Sequence, residues 1–186
     1  MGDRLDHYLS QSIEQDELGF AIQNTILSLS NAAKEIAKSL AKNGLPENQL
    51  GTQLGDINSD GDTQKALDLI ADEKIVTALK NKNVVAYFSE EQEAAVLLNP
   101  EGNLIVCADP LDGSSNIDNN TSVGTIFSIL PRKTEVFEAE QLLRDALQSG
   151  INQLASGFFV YGPQTTLFLT TGNGTYLFAL DESNHK

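Results

Sequence analysis

Apolar residues recur at intervals of three and four near the start of the chain, which is the spacing of one face of an α-helix. The repeating positions are Leu18, Ile22, Ile26, Leu29, Ala33, Ile36 and Leu40. Asp16 and Glu17 precede this stripe and Lys42 lies near its end, which suits the dipole of a helix running through it. Gly44 and Pro46 predict where that helix stops.

A second helix is predicted over residues 63–81, with Asp62 as its N-cap. Its inward positions are Leu67, Ile70, Ala71, Ile75 and Leu79. Residues 45–61 are rich in Pro, Gly, Asn and Asp and are predicted to form a loop. Residues 1–15 are predicted to be a polar, loosely held tail, which leaves residues 16–186 as the folded domain.

Beyond the second helix the pattern changes to short apolar runs, which predict β-strands. The runs are Val84–Phe88, Ala94–Leu98, Leu104–Ala108, Val123–Leu130, Gly157–Tyr161, Thr166–Thr171 and Thr175–Leu180. Turn residues at 99–103 and 172–174 predict two antiparallel hairpins, and a short helix is predicted over residues 139–147. Helices followed by a run of strands indicate an α+β fold, with N-terminal helices packed on a largely antiparallel mixed sheet.

The amino-acid composition argues against several classes of binding partner. The chain has 186 residues, with 12 Lys and Arg against 26 Asp and Glu, so its net charge is −14. This excess of acid argues against nucleic acid and anionic membranes as partners, because both are bound through Lys and Arg. The single cysteine, Cys107, excludes an internal disulfide and lies in an apolar run typical of a buried structural thiol. With no apolar stretch long enough to span a membrane, we expect a cytoplasmic protein.

Candidate chemistry lies at the end of the third predicted strand, which runs into Asp109-Pro110-Leu111-Asp112-Gly113-Ser114-Ser115. Because Pro110 cannot donate a hydrogen bond to a sheet, the strand is expected to end there and to leave Asp109 and Asp112 on a tight turn. The amides of Gly113, Ser114 and Ser115 suit a concave anion site. Carboxylates beside a phosphate cradle are typical of a magnesium-dependent phosphoryl site. An ordinary turn, with Asp capping its own backbone, explains the same residues.

Two further pairs of acidic residues favour a metal-binding site over an ordinary turn. Glu90 and Glu91 follow the first predicted strand, and Asp62 and Asp68 lie at the start of the second helix. Each pair alone is compatible with a solvated surface or a helix cap. If the three groups converge, their mutual repulsion predicts bound cations.

The same residues resemble a known family. The run Asp109 to Asp118 closely resembles class I fructose-1,6-bisphosphatase, a member of the magnesium-dependent, lithium-sensitive phosphatase superfamily. The segments at 61–68, 89–91, 122–127 and 161–162 match the same family in the same order. The resemblance extends from the first predicted helix to the end of the chain and implies the corresponding sugar phosphatase fold.

The resemblance also implies a role for each acidic residue. Glu90, Asp109 and Asp112 would be metal ligands, together with the carbonyl of Leu111, and Asp62 would approach a further metal. The remaining assignments follow the same motif: Asp68 and Glu91, with Asp62, would orient and deprotonate the attacking water, and Gly113, Ser114 and Ser115 would hold the substrate phosphate. The implied cofactor is Mg²⁺, with Mn²⁺ as an alternative.

Family members are much longer than this chain, so the resemblance implies the N-terminal half of such an enzyme, without the sugar-binding C-terminal domain. The implied reaction removes the 1-phosphate of fructose 1,6-bisphosphate, in gluconeogenesis or the Calvin cycle, within a homo-oligomer (a dimer or tetramer). Two alternatives stay open: a sedoheptulose-1,7-bisphosphatase or dual-specificity enzyme, and a catalytically silent domain for binding or assembly. The 186-residue chain alone is expected to show little or no activity.

Overall fold

The structure, a computed structural model, describes residues 3–42 and 60–181, and the side chains of residues 60–65 lie outside this description. Four helices are present in the described part: α1 (Leu5–Ser12), α2 (Glu17–Lys42), α3 (Asp60–Leu79) and α4 (Ala139–Ala146). The strands are β1 (Val84–Ser89), β2 (Val96–Leu97), β3 (Leu104–Asp112), β4 (Val123–Pro131), β5 (Ala155–Tyr161), β6 (Thr165–Thr170) and β7 (Thr175–Ala179). The predicted α+β class is confirmed.

Helices α2 and α3 match the two helices that the apolar stripes predict. The stripe on α2 is buried from Ile22 to Ile36, whereas Leu18 at its start is 37% exposed. On α3, four of the five predicted inward residues are buried, and Ile70 is half-buried. Because α3 already begins at Asp60, Asp62 lies inside the helix and the prediction that it caps the helix is wrong. Residues 45–59 of the predicted loop lie outside the described residues, and its last two residues, 60 and 61, belong to α3.

The prediction of a loose tail over residues 1–15 is wrong for residues 5–12, which form α1. Leu9 is completely buried, and the ring of Tyr8 packs against Tyr176 and Phe178 of β7. Two buried side chains in an otherwise polar stretch are too few to give a clear helical stripe. The ring partners of Tyr8 lie at the other end of the sequence.

The seven strands form one sheet in the order β2-β1-β3-β4-β5-β6-β7. Every neighbouring pair is antiparallel except β1 and β3, which run parallel with Ser89 beside Ala108. The predicted hairpin at 172–174 is confirmed, since it joins antiparallel β6 and β7 through Gly172 and Gly174, both at positive φ.

The predicted hairpin at 99–103 is wrong, because β1 lies between β2 and β3. The connection crosses the start of β1: Asn99 donates its N–H to the carbonyl of Val84. A Cβ on Gly102 would lie 2.5 Å from the backbone nitrogen of Val85, so only glycine fits at this crossing. This crossover makes β3 parallel to β1 and brings the ends of both strands to the same edge of the sheet.

The two faces of the sheet differ in how they are covered. One face packs against α1, α2 and α3 and forms the main core, whereas the other is covered by α4 around Leu142 at one end. Beyond α4 this second face is open, with Ile126 46% exposed and Phe158 41% exposed. Phe158 stacks on Phe168 of the neighbouring strand, with ring centroids 4.7 Å apart.

Among the described residues, no helix combines the length and the apolar composition required to cross a membrane.

Candidate active site

The acidic residues meet where β1 and β3 end side by side. The N–H of Glu90 donates to the carbonyl of Ala108 over 3.1 Å, which extends the parallel pairing one residue past β1. This pairing brings Glu90 level with Asp109, close enough for the Glu90 carboxyl group to raise the pKa of Asp109. Two acids that are 19 positions apart in sequence are therefore direct neighbours.

Strand β3 does not end at Pro110, as the sequence predicted, but continues to Asp112. Against β4, Asp109 pairs with Ile126 and Asp112 pairs with Gly124, so β3 contains one extra residue in this stretch. Such a bulge accommodates a proline, because an unpaired position needs no N–H. The bulge ends at Gly113, whose φ of 78° is unfavourable for residues with a side chain, and a short 3-10 helix begins at Ser114.

Two hydroxyl groups on the helix-covered side of the sheet, those of Thr125 and Tyr161, are linked to the backbone of the bulge by hydrogen bonds. Thr125 of β4 is 2% exposed and donates its Oγ1 hydrogen to the carbonyl of Pro110 over 2.7 Å. Because that donates the only hydrogen of Thr125, the 2.7 Å contact between Thr125 Oγ1 and Tyr161 Oη requires Tyr161 to be the donor. The predictions from sequence missed both residues, since each looks like an ordinary position in a strand.

Helix α3 contributes Asp68 to the same edge. The hydroxyl of Ser114 lies 3.3 Å from Asp68 Oδ2, which ties the start of the 3-10 helix to α3. Burial raises the pKa of Asp68, the hydrogen bond from Ser114 lowers it, and the negative charge of Glu90 raises it again, with a net upward shift. Asp68 therefore lies within electrostatic range of the Glu90 and Asp109 pair.

In the pair of Glu90 and Asp109, the pKa of Asp109 is strongly raised. Burial, followed by the hydrogen bond to Glu90 and its charge, raises the pKa of Asp109 to about 6, although the N–H of Leu111 donates to Asp109 Oδ1 and partly opposes the shift. The charge of Asp112 adds a smaller upward contribution. Repulsion among carboxylates at a strand edge is the condition under which a hard cation binds well.

The predicted site residues divide into two groups. The structure pairs Glu90 with Asp109 and Asp68 with Ser114, with Asp68 within range of the Glu90 charge, and it places Asp112 at the exposed end of the bulge. Glu91 is half-buried in the turn after β1, where its N–H donates to Ser89 Oγ over 3.2 Å. The side chain of Asp62 lies outside the described residues. Within the described residues, no three His, Cys, Asp or Glu side chains form a group that holds a metal ion.

Two cavities flank this region. One of about 690 Å³ is lined by Glu90 and Asp109 at its rim and by Phe158 and Phe168 on the open face of the sheet. A larger one of about 870 Å³ lies near the end of α2, and none of the predicted site residues lines it. Cys107 lines the first cavity but is half-buried, and burial raises its pKa to about 11, which keeps the thiol protonated as expected for a structural cysteine.

The pKa of Asp109 predicts how the metal-free chain responds to pH. The folded state holds this proton up to about pH 6, whereas an unperturbed aspartate releases it near 3.8. Its contribution to the free energy of unfolding is therefore fully present below the lower value and is lost as the pH rises through the higher one. Lowering the pH from 7 to 5 in EDTA should therefore increase the free energy of unfolding of the wild-type chain, in part through Asp109. We expect this increase to be smaller in Asp109→Asn, as measured by urea unfolding. Identical pH profiles for the two proteins would contradict the assignment.

Known proteins match the chain over nearly its whole length. The family model described as "Fructose-1-6-bisphosphatase, N-terminal domain" matches residues 6–186. A class 1 fructose-1,6-bisphosphatase of Rhizobium meliloti (strain 1021) is 44% identical over 180 residues, which cover 95% of this chain and 50% of that protein. A second, from Rhodopseudomonas palustris (strain BisA53), is 45% identical over 172 residues, covering 91% of this chain and 47% of the relative. The chain thus spans about half the length of the curated relatives it matches.

A solved structure shows the same arrangement. The holo form of Leishmania major fructose-1,6-bisphosphatase superposes with a TM-score of 0.83 at 28% sequence identity, covering 100% of this chain and 56% of that one. The T-state structure of the same enzyme gives a TM-score of 0.81 at 28% identity and covers 99% of this chain. The helices and the mixed sheet described above are therefore those of that fold.

Proposed function

Because the chain belongs to the family of the N-terminal domain of fructose-1,6-bisphosphatase, we propose that it supplies the metal- and phosphate-binding half of an enzyme that removes the 1-phosphate of fructose 1,6-bisphosphate. The observation that carries this proposal is the meeting of Glu90 and Asp109 at the shared edge of β1 and β3, with Asp68 within range of their charge. Oxygen donors that repel one another until a cation binds are the ligands that Mg²⁺ prefers.

We assign the metal-binding role to Glu90, Asp109 and Asp112, with the carbonyl of Leu111 as a further ligand and Asp62 near a further ion. The raised pKa of Asp109 supports its part in this assignment, because a cation would stabilise the ionised form that burial, and then the neighbouring Glu90, disfavour. When bound, Mg²⁺ (or Mn²⁺) neutralises charge on the phosphoryl oxygens and lowers the pKa of a bound water.

The chain's own residues supply orientation and proton transfer. Asp68 and Glu91, with Asp62, are proposed to orient the attacking water, and the raised pKa of Asp68 suits a group that accepts a proton. The amides of Gly113, Ser114 and Ser115 are proposed to hold the phosphate, at the point where the backbone leaves the bulge through a positive φ. The hydrogen bond between Ser114 and Asp68 keeps the phosphate-binding turn close to the base.

The open face of the sheet supports the view that this half acts together with a second half. Ile126 and Phe158 are exposed apolar residues that line the same cavity as Glu90 and Asp109, so an apolar surface beside the acids is left uncovered. The sugar specificity would be set by the other half, so a sedoheptulose-1,7-bisphosphatase or a dual-specificity enzyme stays an alternative. The predicted cytoplasmic location, homo-oligomeric state and place in gluconeogenesis or the Calvin cycle stay predictions.

The proposal is tested by joining residues 1–186 to the C-terminal half of the class 1 relative from Rhizobium meliloti and measuring phosphate release from fructose 1,6-bisphosphate. We expect turnover that requires Mg²⁺ and disappears with EDTA, whereas the 186-residue chain alone gives little or none. A folded fusion protein without activity would favour the silent binding or assembly domain. Robust turnover by the chain alone would refute the requirement for a second half.

A further inference from the structure

Asp72 of α3 is a buried carboxylate that the proposed reaction does not use. It is 2% exposed, and none of the three salt bridges among the described residues involves it. Instead, Tyr87 Oη donates to Asp72 Oδ1 over 2.9 Å, and Gln92 Nε2 donates to Asp72 Oδ2 over 2.6 Å. A buried carboxyl group that is paired with a phenol and a side-chain amide rather than with a cation is uncommon, so its position in the fold needs an explanation.

The two donors lie on either side of Glu90 in the sequence. Tyr87 is near the end of β1 and Gln92 is in the turn that follows, so Asp72 contacts the chain both before and after Glu90. Asp72 also lies one helical turn after Asp68, on the same side of α3. One carboxylate therefore links the helix that carries Asp68 to the segment that carries Glu90.

The chemistry of the three groups makes this link directional. Tyr87 Oη and Gln92 Nε2 are both donors in these contacts, so each oxygen of the Asp72 carboxyl group acts as an acceptor. Burial, with a smaller effect from the Asp72 charge, raises the pKa of Tyr87, so the phenol keeps the hydrogen that it donates.

We propose that Asp72, through Tyr87 and Gln92, is a positioning residue that holds the segment Ser89–Gln92 against α3 and so keeps Glu90 beside Asp109 and Asp68. The consequence for metal binding depends on the function proposed above, whereas the local anchoring does not. The backbone bond from Glu90 to Ala108 and the bond from the Glu91 N–H to Ser89 also hold this segment, and Asp72 adds the tie to α3.

Amide hydrogen exchange of the metal-free chain, followed by NMR, tests the anchoring. We expect Gln92→Leu to accelerate exchange at the Glu90 amide at least about tenfold relative to core amides of β4. Since Gln92 is at the surface, this variant is expected to fold. Asp72→Asn should act in the same direction if it folds, because an amide donor would then face Gln92.

The matched control is Asp145→Asn. Asp145 is also a buried aspartate, 9% exposed, and accepts N–H groups of Lys133 and Thr134, both over 2.7 Å, at the far end of the sheet. If Asp72 only contributes general stability, both aspartate variants change exchange at Glu90 alike. That result, or unchanged exchange at Glu90 in Gln92→Leu, would overturn the proposal.

Titration with Mn²⁺ then separates the two proposals. We expect Gln92→Leu to weaken Mn²⁺ binding roughly tenfold, the usual effect of losing a residue that orients a ligand, and Asp145→Asn to leave it unchanged. Faster exchange at Glu90 with unaltered Mn²⁺ affinity would overturn the positioning role. If the wild-type chain binds no Mn²⁺, the metal site under the proposed function is contradicted, and hydrogen exchange alone decides the anchoring.

Discussion

Glu90→Gln should lower the rate of fructose 1,6-bisphosphate hydrolysis by roughly 100- to 1000-fold in a protein that joins this chain to a complete C-terminal half. The same change should raise the melting temperature of the metal-free chain at neutral pH. Both effects have one cause, because the Glu90 carboxylate is a proposed ligand that in the metal-free state repels Asp109. The glutamine keeps the shape of the side chain and removes only its charge.

Glu93→Gln is the matched control, since Glu93 is an exposed glutamate three residues further along with no proposed role. It should leave both the rate and the melting temperature unchanged. Steady-state phosphate release with Mg²⁺ and thermal unfolding in EDTA measure the two effects. Wild-type activity in Glu90→Gln would defeat the site assignment, and a lowered melting temperature in EDTA would show that repulsion does not dominate at this pair.

The helices that pack on the sheet could be predicted well because their information is local. The α2 stripe repeats over seven turns or so, and its burial follows directly from the spacing of residues such as Ile26 and Ile36. Helix α1 was missed because its burial depends on the folded chain. Tyr8, for example, packs against Tyr176 of β7, which is far away in the sequence. A short helix with two buried residues has no periodic signal of its own.

The convergence of acids was predicted, but the geometry that produces it was not. The sequence places Glu90 and Asp109 after separate strands, and only the crossover at Gly102 makes these strands parallel neighbours. Turn residues at 99–103 suggested a hairpin, since local turn chemistry does not reveal which strand lies next to which. Pro110 likewise suggested the end of a strand, because a bulge depends on the partner strand β4.

The buried residues that contact the site segments without belonging to the proposed site gave no signal in the sequence. Asp72 occupies an ordinary polar position on a helix until the structure places Tyr87 and Gln92 against it. Thr125 and Tyr161 are typical strand residues, and their role emerges only from the hydroxyl chain that ends on the carbonyl of Pro110. The sequence therefore offered the acids as candidates, and the structure adds neutral groups that contact the segments carrying them.

The hydroxyl chain gives the largest expected effect on stability. Thr125→Val keeps the size and shape of the side chain but leaves two buried groups, the carbonyl of Pro110 and the hydroxyl of Tyr161, without the partner each has now. Each unsatisfied group costs about 1–3 kcal/mol, so the free energy of unfolding should fall by roughly 2–6 kcal/mol. For a chain of this size the melting temperature should drop by roughly 5–15 °C.

Thr125→Ser separates this effect from packing, because serine retains the hydroxyl and loses only a methyl group, at a cost of about 1 kcal/mol. Urea unfolding of the three proteins should therefore rank wild type first, serine second and valine clearly last. If valine is as stable as serine, the carbonyl of Pro110 is satisfied in another way and the hydroxyl chain does not hold the bulge. If the expected ranking is found, the bulge that carries Asp109 and Asp112 is fixed from the helix-covered side of the sheet by groups that never meet the substrate.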